Sequence, residues 1–151
     1  MEIEKKYLCD KVPENLEDYD CASIVQGYIS INPVIRIRKS NEDYILTVKG
    51  KGAIAREEFE LMLTKEQFET LSKKVETNFI AKKRYFIPLE SGLCAELDIY
   101  EDFLKGLVTI EVEFGTLEQE KEFIAPNWFG KEVSKDNRYK NANLSLYGIP
   151  K

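Results

Sequence analysis

The chain contains no histidine. That absence removes Ser-His-Asp catalysis and any histidine-ligated zinc site. Cysteine is scarce: Cys9, Cys21 and Cys94 are an odd number without metal-like spacing, which predicts reduced, partly buried thiols in a cytoplasmic protein. A catalytic thiol would have no histidine to activate it. If a metal binds, its ligands are carboxylates, which favour hard cations such as magnesium or manganese. No run of about 18 apolar residues is present, so no transmembrane helix is expected. The start of the chain lacks a basic segment followed by an apolar one, so no signal peptide is expected either. Basic residues are outnumbered, 22 against 27 acidic ones. That balance excludes the basic footprint of a general duplex-DNA binder but leaves room for a local site for a small anion. There is no internal repeat, low-complexity tract or linker, and the length fits one domain over residues 1–151.

What the chain does have is alternation. Strands are expected at Met1–Lys6, Val25–Ile31, Val34–Arg38, Tyr44–Lys49, Ile54–Met62, Phe79–Ile87, Leu93–Tyr100 and Leu107–Gly115. Asn32-Pro33, the polar stretch from Lys39 to Asp43 and Gly50-Lys51-Gly52 punctuate them. Pro13 suits the first turn of a short helix between Asp10 and Asp20. Thr64 with Gln67 forms a capping box, Leu63 and Phe68 a hydrophobic staple, and Phe68, Leu71 and Val75 an apolar stripe, which together predict a helix. Thr116 caps a short helix towards Phe123, and a last one is expected over about Asn137 to Leu146. Pro126, Trp128 and Gly130 mark a loop between them. About eight closely spaced strands predict a β-dominated (α+β) chain with an antiparallel sheet that can close into a barrel.

Each strand has an apolar face and a charged one. Glu2, Glu4 and Lys6 oppose Ile3; Arg36 and Arg38 oppose Ile35 and Ile37; Glu58 and Glu60, with Arg56, oppose Phe59 and Leu61. Lys82 and Arg84 oppose Tyr85 and Ile87; Glu96 and Asp98 oppose Leu97 and Ile99; Glu111 and Glu113 oppose Ile110, Val112 and Phe114. Lys49 shares a face with Thr47. Two architectures account for the pattern. One is a sheet packed on one side and solvated on the other. The other is a closed barrel with its charged face inward and its apolar face covered by helices. Charge segregates by strand, acids on some and bases on others, and Arg stands where bidentate phosphate recognition would want it. An inward-facing set needs a reason, because two carboxylates about 4 Å apart repel by roughly 4 kcal/mol at an effective dielectric near 20. A cation among the acids and a polyanion among the bases satisfy both halves.

The ordered segments resemble the CYTH, or triphosphate tunnel metalloenzyme, family. Glu2-x-Glu4-x-Lys6 is similar to its opening motif. Gln26-Gly27-Tyr28, Arg36-Ile37-Arg38, Leu46 to Lys49, Arg56 to Glu60 and Lys83-Arg84-Tyr85 follow in the expected order. Glu96 to Tyr100, Gly106-Leu107 leading to Glu111 to Phe114, and Gly130 to Ser134 with Arg138-Tyr139 and Asn141 complete the set. The resemblance implies an eight-stranded antiparallel tunnel with a charged interior and helices outside. It implies hydrolysis of a linear triphosphate with magnesium or manganese. It places Glu2, Glu4, Glu111 and Glu113 as metal ligands with Asp98 close by. It gives Lys6, Arg36, Arg38, Lys49 and Arg84 to the triphosphate, extended by Lys51, Arg56 and Lys82. Glu58, Glu60 and Glu96 are expected as supporting tunnel acids, and Lys135 as a residue leaning over one mouth. The expected reaction is in-line attack of water at the terminal phosphorus, with no covalent nucleophile.

Inorganic tripolyphosphate is the expected substrate, with nucleoside or thiamine triphosphate as alternatives. Adenylyl cyclase ranks low, because that branch carries a histidine-containing segment that this chain lacks. A non-catalytic polyphosphate-binding module is the alternative of another class, and converging acids argue against it. The expected partner is a small triphosphate, with no duplex nucleic acid and no membrane, in a monomer or homodimer.

Overall fold

A computed structural model describes residues 1–151. The chain forms β1 (Glu2–Leu8), β2 (Asp20–Ile31), β3 (Val34–Ser40), β4 (Asp43–Lys49), β5 (Ala55–Arg56) and β6 (Glu58–Leu63). These are followed by α1 (Lys65–Ser72), β7 (Ile80–Pro88), β8 (Cys94–Tyr100), β9 (Val108–Glu113), α2 (Leu117–Glu122) and α3 (Asn141–Tyr147). All pairings are antiparallel, in the order β5-β1-β9-β8-β7-β2-β3-β4-β6. The result is a nearly closed barrel of nine strands. The eight expected become nine because the stretch read as one strand, Ile54 to Met62, breaks at Glu57. Its two halves serve different neighbours: Arg56 pairs with Glu2 of β1, while Glu58 pairs with Lys49 of β4. One kinked segment thus joins the two ends of the sheet.

The helices follow local chemistry. Thr64 Oγ1 accepts from Gln67 N at 3.1 Å and the Gln67 side chain accepts from Thr64 N at 2.8 Å, the reciprocal box that starts α1. The helix ends at Ser72, so Val75 of the expected stripe lies beyond it. There Val75 and Phe79 press on the backbone of β2: a Cβ at Gly27 would sit 2.7 Å from Val75 Cγ1. Thr116 caps α2 by accepting from Gln119 N at 3.1 Å. The helix expected near Pro13 is a single 3-10 turn at Leu16–Asp18. The one expected over Asn137 to Leu146 splits into a 3-10 turn, Asn137–Tyr139, and α3.

The apolar faces point outward, but the helices cover them unevenly. Ile3, Tyr7, Ile110, Val112 and Leu97 are buried beneath a lid of Phe123, Trp128 and Phe129. Each such side chain contributes about 1.5–3 kcal/mol on burial. On β6, in contrast, Phe59 and Leu61 remain exposed, because α1 reaches only the far end of the strand, where Phe68 meets Tyr44 at 5.1 Å. A second apolar cluster, Ile80, Tyr100, Leu104, Leu107 and Leu144, lies along the alternating faces that carry Lys82 and Asp98. The inner wall therefore turns apolar there, with α3 packed against it. No helix is long and apolar enough to cross a membrane.

Candidate active site

Strand register brings the charged residues together. Glu4 stands opposite Glu113 and Lys6 opposite Glu111. Glu96 faces Glu111 across β8–β9, and Arg84 faces Asp98 across β7–β8. Arg36 lies between Tyr28 and Thr47, and Lys49 opposite Glu58. Alternation then turns all of them to one side of the sheet, where all but Asp98, Glu96 and Thr47 line a cavity of about 220 Å³.

Three groupings line or underlie this lumen. The first is acidic. One carboxylate oxygen from each of Glu2, Glu4 and Glu113 lies within 4.8 Å of the others. Lys49 Nζ donates to both Glu2 oxygens at 3.0 Å and Arg56 Nε donates to one at 3.2 Å. Burial pushes Glu2 up, but Lys49 and the other partners outweigh it and hold its pKa below the ordinary value. Glu4 is less well neutralised, with Arg56 Nη2 4.0 Å away: burial, then the charges of Glu111 and Glu2, outweigh Lys49 and Arg56 and raise it to about 8. Burial and the neighbouring Glu96 and Glu2 raise Glu113 to about 7. Glu58, beside Lys49 at 3.5 Å, is raised by burial and by Glu2.

The second grouping sits deeper and is internally neutralised. Arg84 donates through Nε and Nη2 to the two oxygens of Asp98, at 2.7 and 2.9 Å, and Lys82 Nζ lies 2.8 Å from Asp98 Oδ2. Both Lys82 and Asp98 are fully buried. Burial drives Lys82 down to about 7 against the pull of Asp98. Arg84 also reaches Glu96 at 3.3 Å and Glu111 at 3.6 Å, and Lys6 Nζ lies 3.7 Å from Glu111. Burial opposes ionisation of Glu111, but Lys6, Arg84 and Lys82 hold its pKa well below the usual range. Glu96, with one buried oxygen unpartnered, is raised, chiefly by burial.

The third grouping is basic and uncompensated. Arg36 Nη2 donates to Thr47 Oγ1 at 3.2 Å, and its buried Nε has no partner. Arg38 Nε donates to Gln26 Oε1 at 2.8 Å. Neither guanidinium has a carboxylate within salt-bridge reach. Burial, with the charges of Arg36 and Arg84, lowers Arg38 to about 9. Such a wall has the chemistry to receive an anion that would supply the missing charge.

Twelve of the residues singled out in the sequence border this lumen: Glu2, Glu4, Lys6, Arg36, Arg38, Lys49, Arg56, Glu58, Glu60, Arg84, Glu111 and Glu113. Asp98, Lys82 and Glu96 do not border it; Asp98 is bound by Arg84 and Lys82 rather than gathered with the three converging carboxylates. Lys51 is exposed and faces a neighbouring cavity, and Lys135 is exposed outside both. Other participants had been given no role. Gln26 and Thr47 hold the arginines, and their parity with Arg38 and Lys49 was the signal available. Tyr139 accepts from Lys6 Nζ at 2.6 Å through its carbonyl oxygen, and Asn141 Oδ1 accepts from Tyr100 Oη at 2.8 Å. Both come from a segment without periodicity; the family resemblance includes them, and the fold supplies their partners.

An antiparallel barrel with a charged lumen, basic on one wall and acidic on another, defines a tunnel-type phosphate-processing protein. No family profile matches the chain. It is 35% identical over 148 residues to the inorganic triphosphatase of Nitrosomonas europaea, covering 96% of this chain and 97% of that protein. It is 37% identical over 123 residues to the inorganic triphosphatase of Acetivibrio thermocellus, covering 79% and 77%. The crystal structure of an inorganic triphosphatase superposes with a TM-score of 0.72 at 34% identity, over 100% of this chain and 97% of that one. A Hippeastrum putative adenylyl cyclase described as having dominant triphosphatase activity shares the fold, with a TM-score of 0.58 at 16% identity over 80% and 83%. The chain belongs to the inorganic triphosphatase family, a branch of the CYTH or triphosphate tunnel proteins.

Proposed function

We propose that this chain is a metal-dependent phosphohydrolase that cleaves a linear triphosphate, inorganic tripolyphosphate foremost. The observation that carries the reading is the pairing of an uncompensated basic wall, Arg36 and Arg38, with three converging carboxylates in one lumen. The relatives named inorganic triphosphatase support the same substrate class.

The acidic grouping fits a divalent cation. Its donors are all carboxylate oxygens, the set that hard cations prefer. Glu4 and Glu113 retain protons near neutrality because of burial and of the acids around them. Magnesium or manganese held by Glu2, Glu4 and Glu113, with Glu111 nearby, would offset phosphate charge and lower the pKa of a bound water.

The chain's own residues do the rest. Arg36, Arg38 and Arg84 present planar donors to phosphate oxygens, with Lys6, Lys49 and Arg56 as point charges or forks around them. Asp98, itself paired with Lys82, holds Arg84 in place from below. Water attacks the terminal phosphorus in line; the new P–O bond forms as the bridging P–O bond breaks. Orthophosphate and pyrophosphate are the products, the charge developing on the leaving oxygen is met by the basic wall, and the water's proton passes to solvent or a lumen carboxylate. The lumen's aromatic residues are Tyr28 and Tyr139, a sparse platform for a nucleobase or thiazolium ring. The three unpaired cysteines fit a reducing compartment such as the cytoplasm.

Phosphate release from tripolyphosphate, ATP and thiamine triphosphate, measured with magnesium, with manganese and with EDTA, tests this reading. Metal-dependent turnover greatest on tripolyphosphate is expected. Absence of metal-dependent turnover on all three sinks it.

A further inference from the structure

Four arginines border the lumen, and they are held in two ways. Carboxylates hold two of them: Arg84 lies on Asp98, Glu96 and Glu111, and Arg56 on Glu2. Neutral side chains hold the other two, Arg36 through Thr47 and Arg38 through Gln26. Gln26 makes the closer of these two contacts. It stands directly opposite Arg38 in the β2–β3 register and is wholly buried, outside the lumen lining. Its Oε1 accepts from Arg38 Nε at 2.8 Å and its Nε2 donates to Tyr28 Oη at 3.3 Å. A guanidinium has donors only, so the amide must turn its oxygen towards Arg38. That bond uses Nε and leaves both Nη groups of Arg38 without a protein partner. A glutamate fills almost the same volume and would accept from Nε more strongly, because an ionised acceptor forms the stronger hydrogen bond. It would also cancel the charge that Arg38 offers an anion. An apolar side chain would leave a buried donor unpaired. The amide meets both demands: it holds the arginine and does not neutralise it.

Resting on the reading of the lumen as a triphosphate site, we propose that Gln26 is a positioning residue for the triphosphate, fixing Arg38 through Nε while keeping the guanidinium charge available to a phosphate group. It touches no substrate and acts through Arg38. The neutrality of this support, rather than its size, sets the affinity of the basic wall.

The test is steady-state kinetics on tripolyphosphate, beside calorimetric affinity for tripolyphosphate in EDTA and thermal unfolding. Gln26→Glu keeps the acceptor and adds a charge; Gln26→Met keeps the length, removes the acceptor and stays neutral. Both lose the contact with Tyr28, so the difference between them reports the charge. Gln26→Glu is expected to raise KM about 10- to 100-fold, the scale of a charged hydrogen bond, and to change kcat less. Its unfolding temperature should be unchanged or higher, since Arg38 gains a carboxylate. Gln26→Met should raise KM less and lower the unfolding temperature. Weaker binding beside equal or greater stability is a combination that a packing role would not produce. An unchanged KM in Gln26→Glu, or a rise in Gln26→Met as large as that in Gln26→Glu, overturns the proposal. A double-mutant cycle of Gln26→Met with Arg38→Met adds no buried charge and decides the matter if Gln26→Glu does not fold. There Gln26→Met should add nothing to the effect of Arg38→Met on KM, and additive effects overturn the proposal. Absence of tripolyphosphate cleavage by the unaltered chain would instead overturn the reading of the lumen as an active site, and the calorimetric affinities then carry the same comparison without turnover.

Discussion

Glu4→Gln should flatten the pH dependence of stability when divalent cations are removed. In the folded chain Glu4 keeps its proton to about pH 8, against an ordinary value of 4.5. Between those values the folded state binds more protons than the unfolded one, so stability falls as pH rises through that window and is fully present below it. A displacement from 4.5 to about 8 corresponds to about 5 kcal/mol lost once Glu4 is ionised. Simple electrostatics gives the same order. A charge 4.8 Å away costs about 3.5 kcal/mol at an effective dielectric of 20, two such neighbours surround Glu4, and Lys49 and Arg56 offset part of that sum. Rotation of the side chains away from one another reduces the observed loss below this figure. Glu113, more exposed, adds a smaller decrement of the same sign. Urea unfolding followed by the fluorescence of Trp128, the single tryptophan, reads the effect from pH 5 to 9. In EDTA the unaltered chain should lose several kcal/mol across that range and Glu4→Gln much less, so that the variant is the more stable of the two at pH 9. Magnesium should restore the unaltered chain and help the variant less. Parallel curves for the two proteins in EDTA would refute the reasoning.

Two further outcomes follow from the geometry. Arg36→Ala should raise KM for tripolyphosphate by about 10- to 100-fold, the scale of a charged hydrogen bond, with little loss of thermal stability, since it removes a buried cation that lacks a carboxylate partner; steady-state kinetics and thermal unfolding check both halves. Thr64→Ala should cost about 1 kcal/mol through loss of the α1 capping box and leave kcat and KM unchanged, a pairing read by urea unfolding beside the phosphate-release assay.

The sequence reveals which face of each strand is charged, because alternation survives from residue to residue. It does not reveal depth. Asp98 and Glu113 are equally acidic and equally inward by parity, yet Asp98 is fully buried on Arg84 and Lys82 while Glu113 borders the lumen. Depth depends on register between strands and on how far each runs, neither of which is local. The break at Glu57 escaped for a similar reason. Arg56-Glu57-Glu58 has no glycine or proline to mark it, and the kink arises because the segment must leave β1 for β4. The helix caps at Thr64 and Thr116 were legible because they are contacts three residues apart. The contacts of Tyr139 and Asn141 were not, since their partners, Lys6 and Tyr100, lie far away in sequence.

The pairing of β1 with β9 has a kinetic consequence. Glu4 finds Glu113 and Tyr7 finds Ile110, so the first strand's main partner is the last strand to be made. Such non-local pairing places a chain among the slower folders, in the millisecond-to-second range. During synthesis Ile3 and Tyr7 must wait, uncovered, until nearly the whole chain has left the ribosome. The hairpins of β2, β3 and β4 can form meanwhile, so the barrel is expected to assemble from its middle outward and to gain its acidic cluster only in the final step.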